Sequence, residues 1–283
     1  MWVGTYVPFF IYLLQYLRMH RNILLFFVAC IYYALVSYSL FAFGAGIIVS
    51  SLLLFGLPAY LLARFSAAPA AVLIAVVVFG TGISLVFEGV AHIYGIWYTI
   101  GVDEFRLFGL VPIEVVFTSI LQILFLTLLY ELVFDDGVYS TSSARARFIA
   151  FGVFLASAVL LLLTHVYLLK GIYFSHSYLW LLAILVGSTL ATLAAQQSLT
   201  LRFARRLGCF TAIAFIPLFL STVIAVENTQ KIFAYTNDYL YSFTWFGNTL
   251  PLEEILLILV LPLFVATFYE LYLDDGQLNT PNT

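Results

Sequence analysis

Charge is what this sequence has least of. Of 283 residues, only 11 are Lys or Arg and 14 are Asp or Glu, 9% in all, against about 25% in a soluble domain. So little charge excludes an ordinary hydrated surface, and the lack of any basic patch excludes a nucleic-acid partner. Cysteine is as sparse. Cys30 and Cys209 stand far apart in apolar stretches without metal-ligand spacing, so no metal site is expected and both read as buried helix residues. There is no glycine-rich phosphate loop after a strand, no His-Glu-x-x-His and no nucleophile elbow. Nicotinamide, flavin and zinc therefore lack sequence support, and no cofactor is expected. No basic segment precedes the first apolar run, so no cleaved leader is expected.

What remains is apolar: 64% hydrophobic residues and a mean hydropathy of +1.10. This composition predicts an all-α integral membrane protein. A spanning helix needs about 20 apolar residues, and nine segments qualify: 2–17 (the shortest), 23–43, 46–63, 69–88, 110–134, 148–168, 177–197, 207–226 and 250–273. The run 23–63 is too long for one span, and Gly44-Ala45-Gly46 marks its break. With nine spans, Arg18, Arg21, Arg64, Arg145, Arg147, Arg202, Arg205 and Arg206 fall on one side, and only Arg106, Lys170 and Lys231 on the other. Positive charge favours the cytoplasm. The prediction is a multi-pass protein of the cell membrane with its N-terminus outside and its C-terminus cytoplasmic.

The few acids recur in order. Pro112-Ile113-Glu114 opens an apolar stretch that ends in Tyr130-Glu131-Leu132 and Asp135-Asp136-Gly137. Pro251-Leu252-Glu253 opens another that ends in Tyr269-Glu270-Leu271 and Asp274-Asp275-Gly276. The same offset carries Glu88 onto Glu227. This duplication predicts two repeats, 1–141 (with an extra N-terminal helix) and 142–283. Four spans separate equivalent points, so the repeats are parallel, related by an axis along the membrane normal.

Each acid has a structural reading beside the functional one. Proline suits the first position of a helix. Glu114 and Glu253 would then be third-position glutamates that complement the helix dipole. Glu88 and Glu227, at outer span ends, could reach water. His92 follows Glu88 by four residues and would share its face if the helix continues, where the second copy carries Lys231. Against the structural reading, four acids, two per copy, converge on the outer half, Glu254 doubles the charge of the second copy, and acids within spans ordinarily face a cavity or a partner. The cytoplasmic acids Glu131 and Glu270 and the Asp-Asp-Gly ends are expected to pair with cytoplasmic arginines. Tyr94, Trp97, Tyr98, Tyr235, Tyr239, Tyr241, Phe243, Trp245 and Phe246 lie in the outer loops. They form an interfacial belt or a cage for a cation. Carboxylic acids among aromatic faces suit one reaction class: protonation of an alkene, a carbocation, then deprotonation.

Glu88-x6-Gly95-Ile96-Trp97-Tyr98 followed by Pro112-Ile113-Glu114, and Asn248-Thr249-Leu250-Pro251-Leu252-Glu253-Glu254 in the second copy, resemble the lycopene cyclase domain of archaea, some bacteria and fungi, in its fused two-repeat form. The resemblance is strongest over 88–137 and 227–276. It implies an isomerase that closes the linear ends of lycopene, or a related linear carotenoid, into β-rings to give β-carotene, working in the lipid bilayer. It implies catalytic roles for Glu253, Glu254, Glu114, Glu88 and Glu227, and substrate contacts from Trp97, Tyr98, Trp245 and Phe246. The chain departs from the family pattern at Val115, which replaces the second glutamate of the first motif. It departs again at Glu88 and Glu227, where Asp is frequent, and at Thr236, which falls where the first copy has Trp97.

Three other functions fit the same acids. A carotenoid hydratase would share the protonation step but add water. A proton-coupled transporter would line a path across the membrane, whereas these acids gather on one side. A carotenoid- or retinal-binding scaffold would need no chemistry, and with no lysine inside a predicted span a Schiff base to retinal is disfavoured.

Overall fold

The computed structural model describes residues 28–66, 70–100, 105–107, 111–134, 176–195, 201–233, 239–245 and 247–269. The predicted spans 2–17 and 148–168, the two Asp-Asp-Gly segments, Glu270, Lys170, Tyr235, Thr236 and Phe246 lie outside these residues. The described chain is mostly helical: α1 Val28–Ala42, α2 Ile47–Ala63, α3 Ala70–Tyr94, α4 Ile113–Phe134, α5 Ser177–Ala195, α6 Leu201–Glu227 and α7 Leu252–Phe268. Helices α4 and, in α6, Phe203–Glu227 are long and apolar enough to cross a membrane. α4 and α7 touch at the centre; α2 and α3 flank α4, and α5 and α6 flank α7. One core joins α2, α4, α6 and α7 through Leu54, Phe55, Leu126, Tyr130, Phe210 and Tyr269. A second joins the end of α3 to α5 through Val90, Ile96, Trp97, Tyr178 and Leu185.

The helices break where backbone chemistry requires it. Gly44 (φ +56°) ends α1, with Ala45 N–H donating to Leu40 O at 3.0 Å, so the expected break falls where it was read. Within α2, Leu52–Gly56 forms a π turn. Pro58 has no N–H for the Leu54 carbonyl four residues earlier, and its ring crowds that carbonyl. Tyr33 of α1 donates to Leu54 O at 3.2 Å and Tyr32 to Leu53 O, so the carbonyls at the turn are capped by a neighbouring helix. Gly80 brings α3 against α4: a Cβ there would stand 2.6 Å from both Cγ atoms of Ile123.

Three short antiparallel ribbons complete the fold: β1 Trp97–Thr99 with β4 Lys231–Phe233, β2 Arg106–Leu107 with β3 Val111–Pro112, and β5 Ser242–Trp245 with β6 Asn248–Pro251. The last two run directly into α4 and α7, and this corrects one expectation. Pro112 (ψ 138°) and Pro251 (ψ 146°) are extended N-cap residues held in strands, not first helical residues. Glu114 and Glu253 are therefore the second residues of their helices, and Glu254 the third.

The ends of α3 and α6 match in detail. Gly95 (φ +62°) and Thr229 (φ +55°) are both left-handed. Ile96 N–H donates to Ala91 O at 2.9 Å, and Gln230 N–H to Ala225 O at 2.7 Å, the six-to-one bond of a left-handed helix cap. These matches lie 134 residues apart (229 − 95 and 230 − 96). The β1–β4 register agrees: Trp97 faces Phe233, Tyr98 faces Ile232 and Thr99 faces Lys231, which is what a two-fold axis through the Tyr98–Ile232 pair requires at that spacing. Pro112 and Pro251, by contrast, lie 139 apart (251 − 112). The connection from β4 to α7 is thus five residues longer than that from β1 to α4, and the offset of 139 that pairs Glu88 with Glu227 does not describe the helix ends. At 134 the residue corresponding to Glu88 is Thr222, to His92 is Val226, and to Trp97 is Lys231 rather than Thr236.

The cysteines correct a further expectation. Both lie on helices, but Cys209 is exposed and Cys30 partly so. Their helices turn those faces away from the core. Val28, Ile31, Leu35 and Tyr38 form a similar outward apolar stripe along α1.

Candidate site: a carboxylate pair and a lysine on an apolar cavity

A cavity of about 160 Å³ lies among α3, α4, α5, α6 and α7. Its apolar wall includes Phe87, Val115, Ile123, Leu185, Leu218 and Leu257, and three charged residues enter it: Glu88, Lys231 and Glu254.

Glu254 sits in the first turn of α7 and is buried. Its Oε1 accepts from Lys231 Nζ at 2.8 Å and from Thr222 Oγ1 at 3.2 Å, and its Oε2 accepts from the Tyr178 hydroxyl at 2.6 Å. An ionised carboxyl group, an acceptor throughout, takes all three donors at once. Lys231 Nζ also lies 4.6 Å from the centre of the Trp97 ring and 5.0 Å from that of Phe233. Its ammonium is therefore held by a carboxylate and two π faces while its stem covers apolar surface.

Glu88 is partly buried on α3, a turn and a half before the helix ends. The helix does continue past it, so His92 shares its face, and the His92 ring packs edge-on to Tyr98. Among the described residues Glu88 accepts one hydrogen bond, from Trp97 Nε1 at 3.0 Å. The Trp97 indole thus bonds Glu88 through its N–H, carries Lys231 on its face, and meets Tyr178 edge-on at 5.0 Å. It lines the cavity but orders the charged groups rather than offering a bare face to a ligand.

Glu114, Glu131, Glu227 and Glu253 do not form part of the described cavity wall. Glu253 is wholly buried; its Oε1 accepts the Leu240 N–H at 2.5 Å, and its Oε2 is buried without a hydrogen-bond partner among the described residues. Glu253 and Glu254 are thus neighbours in sequence with separate partners, not a carboxyl pair sharing a proton. Glu114 is buried one turn before the wall residues Thr118 and Ser119. Glu227 is the last residue of α6, with Oε1 buried and without a hydrogen-bond partner among the described residues. Tyr98 is half-exposed and outside the wall. Trp245 is placed in β5 by its backbone, while its side chain lies outside the described set.

Sequence reasoning missed Lys231, Tyr178 and Thr222. From the sequence, Lys231 reads as a loop residue that marks orientation and stands where the first copy has His92; the signal available was a lone lysine beside the outer aromatic cluster. Tyr178 and Thr222 carry no pattern of their own. Arg206 of α6 donates to Phe134 O at 3.0 Å, closing the end of α4. No protein-family model, curated protein or solved structure matches the chain.

Proposed function

We propose that the chain is a carotenoid end-group cyclase, a redox-neutral isomerase that protonates the terminal double bond of lycopene or a related linear polyene, closes a six-membered ring and removes a ring proton. The observation that carries this reading is the opening of Glu88, Lys231 and Glu254 onto an apolar cavity of about 160 Å³. A dry cavity of about 150 Å³ accepts a benzene molecule, so this one is sized for a single ring-forming end group, with the rest of a polyene chain left to lipid. Two carboxylates and one ammonium there, once the proton has passed to the alkene, sum to one negative charge, which offsets a carbocation in an apolar wall.

The proposal includes the architecture. The apolar composition, the outward stripe on α1 and the two spanning-length helices support a multi-pass membrane protein. Nine spans in two parallel repeats, 1–141 and 142–283, with the N-terminus outside and the C-terminus cytoplasmic, are proposed from the arginine distribution and the recurring helix caps.

A lycopene-accumulating host expressing this chain is expected to form cyclic carotenes without added reductant or nucleotide. Unchanged lycopene in membranes that contain the protein would refute the activity. The hydratase reading is favoured by one observation: Ser119, Gln122 and Ser221 also line the cavity and could hold a water molecule. Hydroxylated acyclic products from the same host would select it.

A further inference from the structure

Resting on that reading of the cavity, we infer that its two carboxyl groups divide the work: Glu88 carries the exchanged proton, and Glu254 is a fixed anion locked by Lys231, Tyr178 and Thr222. Among the described residues, Glu88 and Glu254 are the only acids in the cavity wall, so a donor that touches the substrate is one of these two. Protonating Glu254 would reverse the Tyr178 hydrogen bond at Oε2 and leave the Lys231 ammonium, 2.8 Å from Oε1, without its counter-ion. Protonating Glu88 breaks none of its hydrogen bonds among the described residues and costs only the pull of Lys231 and the charge assistance to the Trp97 N–H bond. It accepts one hydrogen bond, on Oε2, and the Lys231–Glu254 pair beside it already balances its own charge. The other groups near Glu88 do not alter this choice. Tyr178 donates to Glu254, and His92 lies a turn further along α3 against Tyr98.

The cycle then closes on one residue. The Glu88 O–H bond breaks as a C–H bond forms at the terminal alkene, and the ring C–C bond forms from the resulting cation. The cavity now holds two carboxylates and one ammonium, a net charge of minus one beside the cation. A ring C–H bond breaks next, its electron pair becomes the ring double bond, and its proton returns to Glu88. No electron is gained or lost overall and no co-reactant is needed. Lys231, Tyr178 and Thr222 are positioning residues in this scheme. They keep Glu254 ionised, so that the only mobile proton at the cavity is that of Glu88.

The test reads the proton directly and does not depend on turnover. Infrared spectra of the purified protein at neutral pH, in H₂O and D₂O, are compared in the carbonyl-stretch region of protonated carboxyl groups. One exchangeable band is expected to vanish in Glu88→Gln, shift in Glu88→Asp, and persist in the double variant Lys231→Met/Glu254→Gln. In Glu254→Gln alone the same band is expected to weaken, because Lys231 then turns to Glu88 and favours its ionised form. A band that survives Glu88→Gln but disappears in Lys231→Met/Glu254→Gln would overturn the assignment and make Glu254 the proton carrier. Glu88→Asp guards against a folding defect, since it keeps a carboxyl group whose band must move. In the lycopene host, Glu88→Gln is expected to lower product at least about 100-fold, as for loss of a general acid, with Glu88→Asp recovering part of it. Absence of cyclic product with the expected infrared pattern would defeat the cyclase reading alone, whereas cyclic product with the contrary pattern would defeat the proton assignment alone.

Discussion

Removing Lys231 and Glu254 together is expected to cost less than the sum of removing each alone. The Lys231 side chain is 16% exposed and the Glu254 side chain 4%, with 2.8 Å between Nζ and Oε1. Breaking a buried pair by deleting one partner costs about 3–5 kcal/mol, because the other charge stays buried. Tyr178 and Thr222 still donate to Glu254 when Lys231 is gone, and Lys231 retains some solvent contact. The lower end, about 3 kcal/mol, is therefore the expected cost of Lys231→Met. Glu254→Gln removes the anion and leaves the ammonium with its two π faces, for about 2 kcal/mol, within the range for hydrogen bonds to charged groups. The double variant removes both charges and is expected to cost about 2–3 kcal/mol rather than about 5. That leaves a coupling of about 2–3 kcal/mol, well outside the scatter of independent sites. The assay is thermal unfolding of the purified protein in one detergent. Lys231→Met is expected to lower the midpoint by roughly 6–12 °C, at about 2–4 °C per kcal/mol for a chain of this size. Additivity within about 0.5 kcal/mol would show that the two side chains do not act as a pair, and the fixed-anion role of Glu254 would fall with it.

Two further outcomes test the scaffold. Gly80→Ala sets a methyl group 2.6 Å from both Cγ atoms of Ile123 and is expected to cost about 1–3 kcal/mol by overpacking, a cost reduced when Ile123→Ala is added; a neutral Gly80→Ala in the unfolding assay would mean that α3 and α4 are not in this close contact. Thr229 is exposed and left-handed at φ +55°, a conformation that costs an L-residue about 1–2 kcal/mol. Thr229→Gly is expected to raise stability by about 0.5–1 kcal/mol after the added freedom of glycine in the unfolded chain, and a loss of stability would count against the left-handed cap.

Long apolar runs were legible because one physical rule governs them. The segment read as 110–134 is α4 from Ile113 to Phe134, and 177–197 is α5 from Ser177 to Ala195. The glycine break at 44–46 was legible because only a left-handed turn can end one helix and begin another so closely. The ribbons were not legible, since strands of two to four residues are too short to show alternation. Their absence from the reading hid the change of spacing. Matching Glu88 to Glu227 by a constant offset looked natural because both are glutamates, whereas the backbone matches Gly95 to Thr229 and sets Glu88 opposite Thr222. The site was half legible. Acids in apolar surroundings drew attention to Glu88 and Glu254, and nothing in the sequence separated Glu254 from Glu253, whose side chain turns instead to the Leu240 N–H. Lys231 was missed because a lysine at a span end reads as an orientation signal. Its long stem lets it leave the loop and seat its charge against Trp97.

On the proposed two-repeat architecture, the corrected spacing accounts for where the two copies differ, and a cavity at the axis relating them would receive the same positions from both. At 134, Glu88 and Thr222 correspond, as do Trp97 and Lys231; at 139, Val115 and Glu254 correspond. Glu88, Val115, Thr222, Lys231 and Glu254 all line the one cavity. Two full copies of the acids would bring four carboxyl groups into an apolar wall about 160 Å³ across its volume, where several must stay neutral or repel at large cost. Val115 and Thr222 each remove one acid, and Lys231 adds a cation where the first copy has an indole. The result is a single acid–base site in which Glu88 comes from the first copy and its charge partners come from the second. Neither copy holds a site alone. On the proposed reading, a linear polyene with two reactive ends must therefore enter this cavity twice, and the substitution at Val115 is a condition of having one working site rather than a loss of the second.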